Sequence, residues 1–167
     1  MAKEQLFHTI DPVYNAHSRI LVLGSFPSPK SREMGFPYGH PQNIFWPTLA
    51  KVLEKEEPTA TAAARRQFVL ANGIALWDVL ASCEIEGAAD SSITNTVPND
   101  LNRILQAAPI QAIFTTGKAA TALYEKYCLP QTGRPSIYLP STSPANRASH
   151  KKPHFWESWQ QIKQYLK

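Results

Sequence analysis

The sequence predicts an α/β domain, a three-layer α/β/α sandwich around a central, mainly parallel sheet of about four strands. Three observations lead there. Residues 19–23 are a run of Leu, Val and Ile after one Arg and stop at Gly24, the pattern of a strand buried on both faces. Three further short strand-like runs occupy residues 74–77, 110–114 and 136–139. Between these runs lie stretches with helical spacing of apolar side chains, and strand–helix alternation of this kind builds parallel sheets covered on both faces.

The elements follow in order. Residues 1–18 read as a lead-in segment with room for a short helix. Residues 25–42, after the first strand, hold four prolines and two glycines; a loop this long in a compact domain usually serves function. Asn43 has N-cap chemistry. After it, residues 44–55 place apolar side chains at 45, 46, 49, 52 and 53, with Pro47 tolerated in the first turn. A second helix is expected over 59–71, stopped by Asn72-Gly73. After the strand at 74–77, residues 82–97 read as irregular, rich in Ser, Thr, Asn and Asp. A helix is expected over 98–108, starting near Pro98 or Asn99. Thr115-Thr116-Gly117-Lys118 turns the next strand into a helix reaching Tyr127, and a final helix is expected over 153–166. No internal repeat, low-complexity tract or linker interrupts the chain, so a single domain over residues 1–167 is expected.

Composition narrows the function classes. The two cysteines, Cys83 and Cys128, form no CxxC, and the five His lack the close spacing of zinc ligands. No metal and no cofactor are therefore expected, and two Cys exclude an iron–sulfur cluster. No apolar run is long enough to span a bilayer, and Met1-Ala2-Lys3-Glu4 begins no signal-peptide pattern. The expectation is a cytoplasmic protein with no membrane partner. From Leu101 onward, nine Lys/Arg face only Glu125 and Glu157, a balance of +7, whereas residues 1–100 carry −3. A basic half suits a polyanion-binding face, although many basic soluble domains bind nothing acidic.

Three loops carry the chemistry. They are Gly24-Ser25-Phe26-Pro27-Ser28, then Gly35-Phe36-Pro37-Tyr38-Gly39-His40-Pro41-Gln42-Asn43-Ile44-Phe45-Trp46, then Ser141-Thr142-Ser143-Pro144-Ala145-Asn146-Arg147. The first and third follow strands and the second enters a helix. If the strands are parallel neighbours, the loops meet at the carboxyl edge of one sheet, where open α/β folds bind ligands. A stiff Gly/Pro loop, an aromatic, a lone amide and a Ser/Thr-rich turn suit a planar base and its phosphates. Ser25 lacks the GxSxG elbow of a hydrolase nucleophile.

These motifs resemble the uracil-DNA glycosylase superfamily, over roughly residues 19–160. The Gly-Phe-Pro-aromatic segment running through His40-Pro41-x-Asn43-x-Phe45-Trp46 is also similar to the mismatch-specific uracil-DNA glycosylases. Trp77-Asp78, Asp90-Ser91-Ser92-Ile93 and Pro98-Asn99-Asp100-Leu101 fit the hypoxanthine-DNA (deoxyinosine) glycosylase branch better. The resemblance implies a monofunctional, monomeric DNA glycosylase that flips a deaminated base, hypoxanthine first and uracil second, out of DNA and hydrolyses its glycosidic bond. Many members place Asp or Asn where this chain has Phe26. The resemblance moves the catalytic role to Asn43, which would orient water and stabilise the sugar cation, since an amide is no effective general base. It implies a base pocket of Gly24, Ser25, Phe26, Pro27, Tyr38 and His40, with Tyr38 as stacking platform. DNA contacts would come from Ser141, Thr142, Ser143, Pro144, Ala145, Asn146, Arg147 and Lys151 with neighbouring Lys152. Residues 144–146 would wedge into the stack, although Ala145 is small for that.

Plainer readings stand beside these. Asn43 is also a helix cap, Tyr38 a loop cover, His40 a loop brace, and the 141–147 segment an ordinary Ser/Pro turn. Thr115-Thr116-Gly117-Lys118 is either a phosphate contact or a packing turn. Phe26 favours a non-catalytic nucleic-acid-binding module as one alternative function, and a small-molecule or nucleotide hydrolase on the same sheet edge is another.

Overall fold

The computed structural model describes residues 4–8, 10–86 and 92–166. Its centre is a four-stranded sheet of β2 (Ile20–Gly24), β3 (Ile74–Asp78), β6 (Ala112–Thr116) and β7 (Ile137–Leu139), in the order β3-β2-β6-β7. All three pairings are parallel, with Gly24 opposite Asp78, Leu23 opposite Thr115 and Thr116 opposite Leu139. The carboxyl ends of all four strands therefore meet at one edge.

The period of two along β2 divides the core. Ile20 and Val22 point to one face, with Ile74, Leu76 and Phe114, under α2 (Phe45–Leu53), α3 (Ala62–Ala71) and α7 (Pro153–Gln160). Leu21 and Leu23 point to the other, with Ala75, Trp77 and Ile113, against α4 (Asn102–Leu105) and the segment that α5 (Lys118–Leu123) begins. Every residue of β2 and β3 is buried, and a fully buried Leu, Ile or Val contributes about 1.5–3 kcal/mol. Helices on both faces of a parallel sheet are the three-layer arrangement expected.

Several elements differ from expectation. The lead-in segment holds a strand, β1 (Glu4–Phe7), and the stretch read as irregular holds two more, β4 (Leu80–Ile85) and β5 (Thr94–Pro98). They form a second, antiparallel sheet in the order β1-β4-β5. The β4–β5 register shifts twice, β4 buries polar Ser82 beside Leu80, Cys83 and Ile85, and β5 is largely exposed, so no unbroken apolar–polar alternation marks these strands in the sequence. Pro98 ends β5, and buried Asn99 spends its Nδ2 on the Asp78 and Leu80 carbonyls, at 2.9 and 3.1 Å. The helix expected from 98 shrinks to α4 accordingly. Residues 25–42 are not all loop either: α1 (Pro29–Met34) is capped by the Ser28 hydroxyl, which accepts from Ser31 N. The helix after α5 widens to a π-turn (Tyr124–Cys128) before α6 (Leu129–Thr132), and the last helix tightens to 3₁₀ geometry at Gln161–Tyr165. Asp90 and Ser91 lie outside the described residues.

Candidate functional site

A cavity of about 530 Å³ opens at the carboxyl edge of the parallel sheet. All three loops line it: Gly24, Ser25, Phe26 and Pro27 from the first, Tyr38, His40 and Asn43 from the second, and Ser141, Thr142, Ser143, Pro144 and Ala145 from the third. Two backbone ties hold the loops in place. Ile44 N donates to Thr142 O at 3.1 Å, joining the second and third loops, and Gly117 N donates to Leu139 O at 2.7 Å at the end of β7.

The first loop is short of room. A Cβ on Gly24 would stand 2.5 Å from Asp78 Oδ1 and 3.7 Å from the Tyr38 hydroxyl, so only glycine lets backbone and carboxylate approach this closely. Beyond it, Ser25, Phe26 and Pro27 are buried. The Phe26 ring meets His8 edge-on, with centroids 5.9 Å apart, and the Arg32 guanidinium carbon lies 5.9 Å from its centre. Arg32 also lines the cavity. Its Nε is buried with no hydrogen-bond partner among the described residues.

The second loop is braced from within. Ser31 Oγ, packed under it, accepts from Gly39 N at 2.9 Å, and Trp46 Nε1 donates to Tyr38 O at 3.2 Å. Tyr38 has a left-handed backbone, φ 56°, unusual for an aromatic residue. Its ring lies flat on Phe45, with centroids 3.8 Å apart and planes 4° off parallel. One face of the ring is thus covered by the core. Burial, and next the Asp78 carboxylate, push the phenol well above its ordinary pKa, against a weaker opposing pull from the Thr116 hydroxyl. Tyr38 stays neutral at physiological pH.

Asn43 caps its helix and lines the cavity at once. Its Oδ1 accepts from Phe45 N at 2.9 Å, two residues on, while Ile44 holds the formal cap position and makes no side-chain cap bond. This turn, made by an Asx side chain bonding its own backbone, fixes which way the amide faces. His40 makes a similar brace, its Nδ1 accepting from Gln42 N at 3.0 Å.

The third loop divides. Residues 141–145 line the cavity; Asn146, Arg147 and Lys151 do not. Both ends of the Asn146 amide are used internally, Nδ2 donating to Ser141 O at 2.9 Å and Oδ1 accepting from Ser149 Oγ at 3.0 Å. This side chain latches the loop and is not available as a wedge. Ala145 and Arg147 are exposed, as are Lys151 and Lys152, so the cations sit outside the cavity.

The sequence placed Asp78 only in the Trp77-Asp78 match and gave it no role on the cavity wall. Asp78 ends β3, is 7% exposed and lines the cavity; its Oδ2 lies 2.9 Å from His8 Nε2. An acid closing an apolar strand was the available signal for Asp78. Nothing local marked His8, which reaches Asp78 across 70 residues. Thr116 joins the wall because β6 starts and ends two residues later than expected; its hydroxyl donates to Leu23 O at 3.1 Å. Among the described residues no cluster of three or more His, Cys, Asp or Glu is placed to hold a metal, and no helix is long and apolar enough to cross a membrane. Cys83 and Cys128 are buried, and neither is in a disulfide among the described residues.

Comparison with known proteins converges on one family. The model of the uracil DNA glycosylase superfamily matches residues 12–163. Two curated relatives are named hypoxanthine DNA glycosylase. The Methanosarcina barkeri protein is 32% identical over 84% of this chain and 88% of its own. The Methanosarcina acetivorans protein is 31% identical over 87% of this chain and 92% of its own. A solution NMR structure of a Methanosarcina acetivorans protein, provisionally designated a uracil DNA glycosylase, superposes with a TM-score of 0.80 at 27% identity, covering 98% of this chain and 99% of that one. With the family model spanning nearly the whole chain and relatives above 30% identity, this protein belongs to the uracil DNA glycosylase superfamily.

Proposed function

We propose that this protein is a monofunctional DNA glycosylase that extrudes a deaminated base, hypoxanthine first and uracil second, and hydrolyses its bond to deoxyribose. The observation that carries the reading is the convergence of three loops on one cavity with the Asn43 amide on its wall. Membership of the superfamily and the two relatives named hypoxanthine DNA glycosylase support it. The cavity volume falls within the range of small-ligand sites, and a base inside a duplex reaches such a site only by flipping.

The chemistry asks for a stacked base, a water placed beneath the sugar, and compensation for charge leaving with the base. Tyr38 offers a ring pressed against Phe45 and lines the cavity; stacking on such a platform is worth about 1–3 kcal/mol. An amide oxygen has two lone pairs. Phe45 N–H takes one on Asn43 Oδ1, leaving the other for a water aimed at the sugar carbon, an effect of positioning rather than of proton transfer. Buried backbone of the first loop approaches the base closely, where its N–H groups can oppose developing negative charge. Ser141, Thr142 and Ser143 clasp the flanking phosphates, with Arg147 and Lys151 attracting the strand from outside.

The test is incubation with duplex oligonucleotides holding one deoxyinosine or one deoxyuridine, followed by alkali. Strand scission at the lesion is the expected outcome. Tight, salt-sensitive binding without scission would instead identify a non-catalytic DNA-binding module.

A further inference from the structure

We propose that Arg32 is a catalytic residue: its guanidinium takes up the negative charge that the base carries away as its bond to deoxyribose breaks. The inference rests on the glycosylase reading above and adds to it the cation that assists base release.

Arg32 stands on a fixed support. Its own N–H donates to Ser28 O at 3.0 Å at the start of α1, and Gly35 N donates to Ser31 O at 2.8 Å at the end. The second loop packs on this helix so closely that a Cβ on Gly39 would stand 3.3 Å from Ser31 Cα. From there Arg32 reaches the cavity wall, beside the Phe26 ring of the first loop.

Its charge is left open. Lys30 and Glu33, on the same helix, pair with each other at 3.4 Å, and Arg32 forms no ion pair among the described residues. Its buried Nε has no hydrogen-bond partner there either. A guanidinium stays protonated and only donates, and a charge taken from water without a partner is costly. An occupant that becomes anionic removes that cost. Among the described residues no other Lys or Arg lines the cavity.

The reaction supplies such an anion. As the bond from the sugar C1′ to a purine N9 breaks, both bonding electrons stay with the base. The water oxygen bonds to C1′ and keeps one hydrogen as the new hydroxyl; its other proton passes to solvent, from which the departed base is protonated. Until then the base is negative. The opposite wall works against it: after burial itself, the Asp78 carboxylate is what raises the Tyr38 pKa, and a field that disfavours a phenolate disfavours a base anion in the same cavity. First-loop N–H groups oppose this field with partial charges, whereas Arg32 brings a full one beside them. The flanking phosphates are anionic before and after the reaction and have Ser141, Thr142 and Ser143 at the third loop.

The experiment measures single-turnover excision of deoxyinosine at saturating protein for the native chain, Arg32→Ala, Arg32→Gln and Arg32→Lys. Beside it stands the affinity of each for a duplex carrying uncleavable 2′-fluorodeoxyinosine, which separates binding from chemistry. Arg32→Ala and Arg32→Gln should lower the saturated rate about 100-fold, the penalty for losing one group that stabilises transition-state charge, with affinity close to native. Arg32→Lys, which keeps the charge without the fork, should fall between. Added guanidinium ion should restore the Arg32→Ala rate saturably, and sodium chloride at the same ionic strength should not. A purely structural role would not respond in this way, and thermal melting shows whether each variant is folded. A near-native saturated rate in Arg32→Ala overturns the proposal. So does weakened affinity at an unchanged rate, which would make Arg32 a phosphate anchor. A lowered rate that neither guanidinium nor Arg32→Lys improves overturns it too, and leaves Arg32 as packing for Phe26. In all three cases an active native protein keeps the glycosylase reading. A native protein that excises neither deoxyinosine nor deoxyuridine overturns that reading and this one with it.

Discussion

The Asn43 amide oxygen is already engaged by Phe45 N–H, so removing the side chain has two separable consequences. Loss of a cap costs about 0.5–2 kcal/mol of stability. Loss of a water-orienting group should cost far more in rate: Asn43→Ala is expected to lower single-turnover excision about 100-fold, the penalty for a misplaced reactant. DNA affinity should stay close to native. Equal excision by Asn43→Ala and the native protein would remove Asn43 from the mechanism. Tyr38 poses a different question, because its ring also supports Phe45. Tyr38→Ala should slow excision of hypoxanthine and uracil by the same factor, since stacking does not read the base edge. Loss confined to one base would contradict a platform role. Both residues could be singled out from sequence because the motifs around them are local. Asp78 carried no site role in the sequence and His8 went unmarked, because their pairing spans 70 residues and no local pattern encodes it.

At the scale of elements, the decisive contact is between the ends of β2 and β3. Their parallel register sets Gly24 opposite Asp78, and the missing Cβ leaves space that Asp78 Oδ1 fills. Gly24→Ala forces the carboxylate off its His8 partner or shifts the first loop. Overpacking of this kind costs about 1–3 kcal/mol. A denaturant titration should show that loss of stability, and excision should fall further than the loss explains, because the displaced groups form the cavity wall. Native excision from a fully folded Gly24→Ala would show that this close approach is incidental. The run of residues 19–23 announced β2 well, since a strand buried on both faces is apolar throughout. The antiparallel strands β4 and β5 did not announce themselves, because shifted pairing, and in β5 a largely exposed surface, break the alternation that marks a strand.

Across the whole molecule, the described Lys and Arg residues after Leu101 lie outside the cavity lining. Arg147, Lys151 and Lys152 are exposed beyond the lining residues, whereas Arg32 is on the wall. Exposed cations of this kind bind phosphates by releasing counterions, so affinity should fall linearly in log–log plots against salt. Arg147→Ala should weaken binding to lesion and undamaged duplexes alike and reduce that slope by about one unit. Its single-turnover rate at saturating protein should stay native. A salt slope identical to native would place Arg147 away from the DNA. The excess of positive charge after Leu101 pointed to a polyanion face, but only the folded chain shows that Arg147, Lys151 and Lys152 are exposed outside the cavity lining and that Asn146 is spent on holding its loop.

By itself the sequence determined the layered α/β class, the parallel strands and the three loops at one sheet edge. These depend on short-range patterns: continuous apolar runs, helical spacing, and Gly/Pro punctuation. Only the tertiary structure decided that Tyr38 rests flat on Phe45, that Asn43 is both cap and wall, and that a histidine near the start of the chain holds the carboxylate ending β3. Side chains far apart in the chain become partners through strand register and packing, and neither is written in the residues next to them.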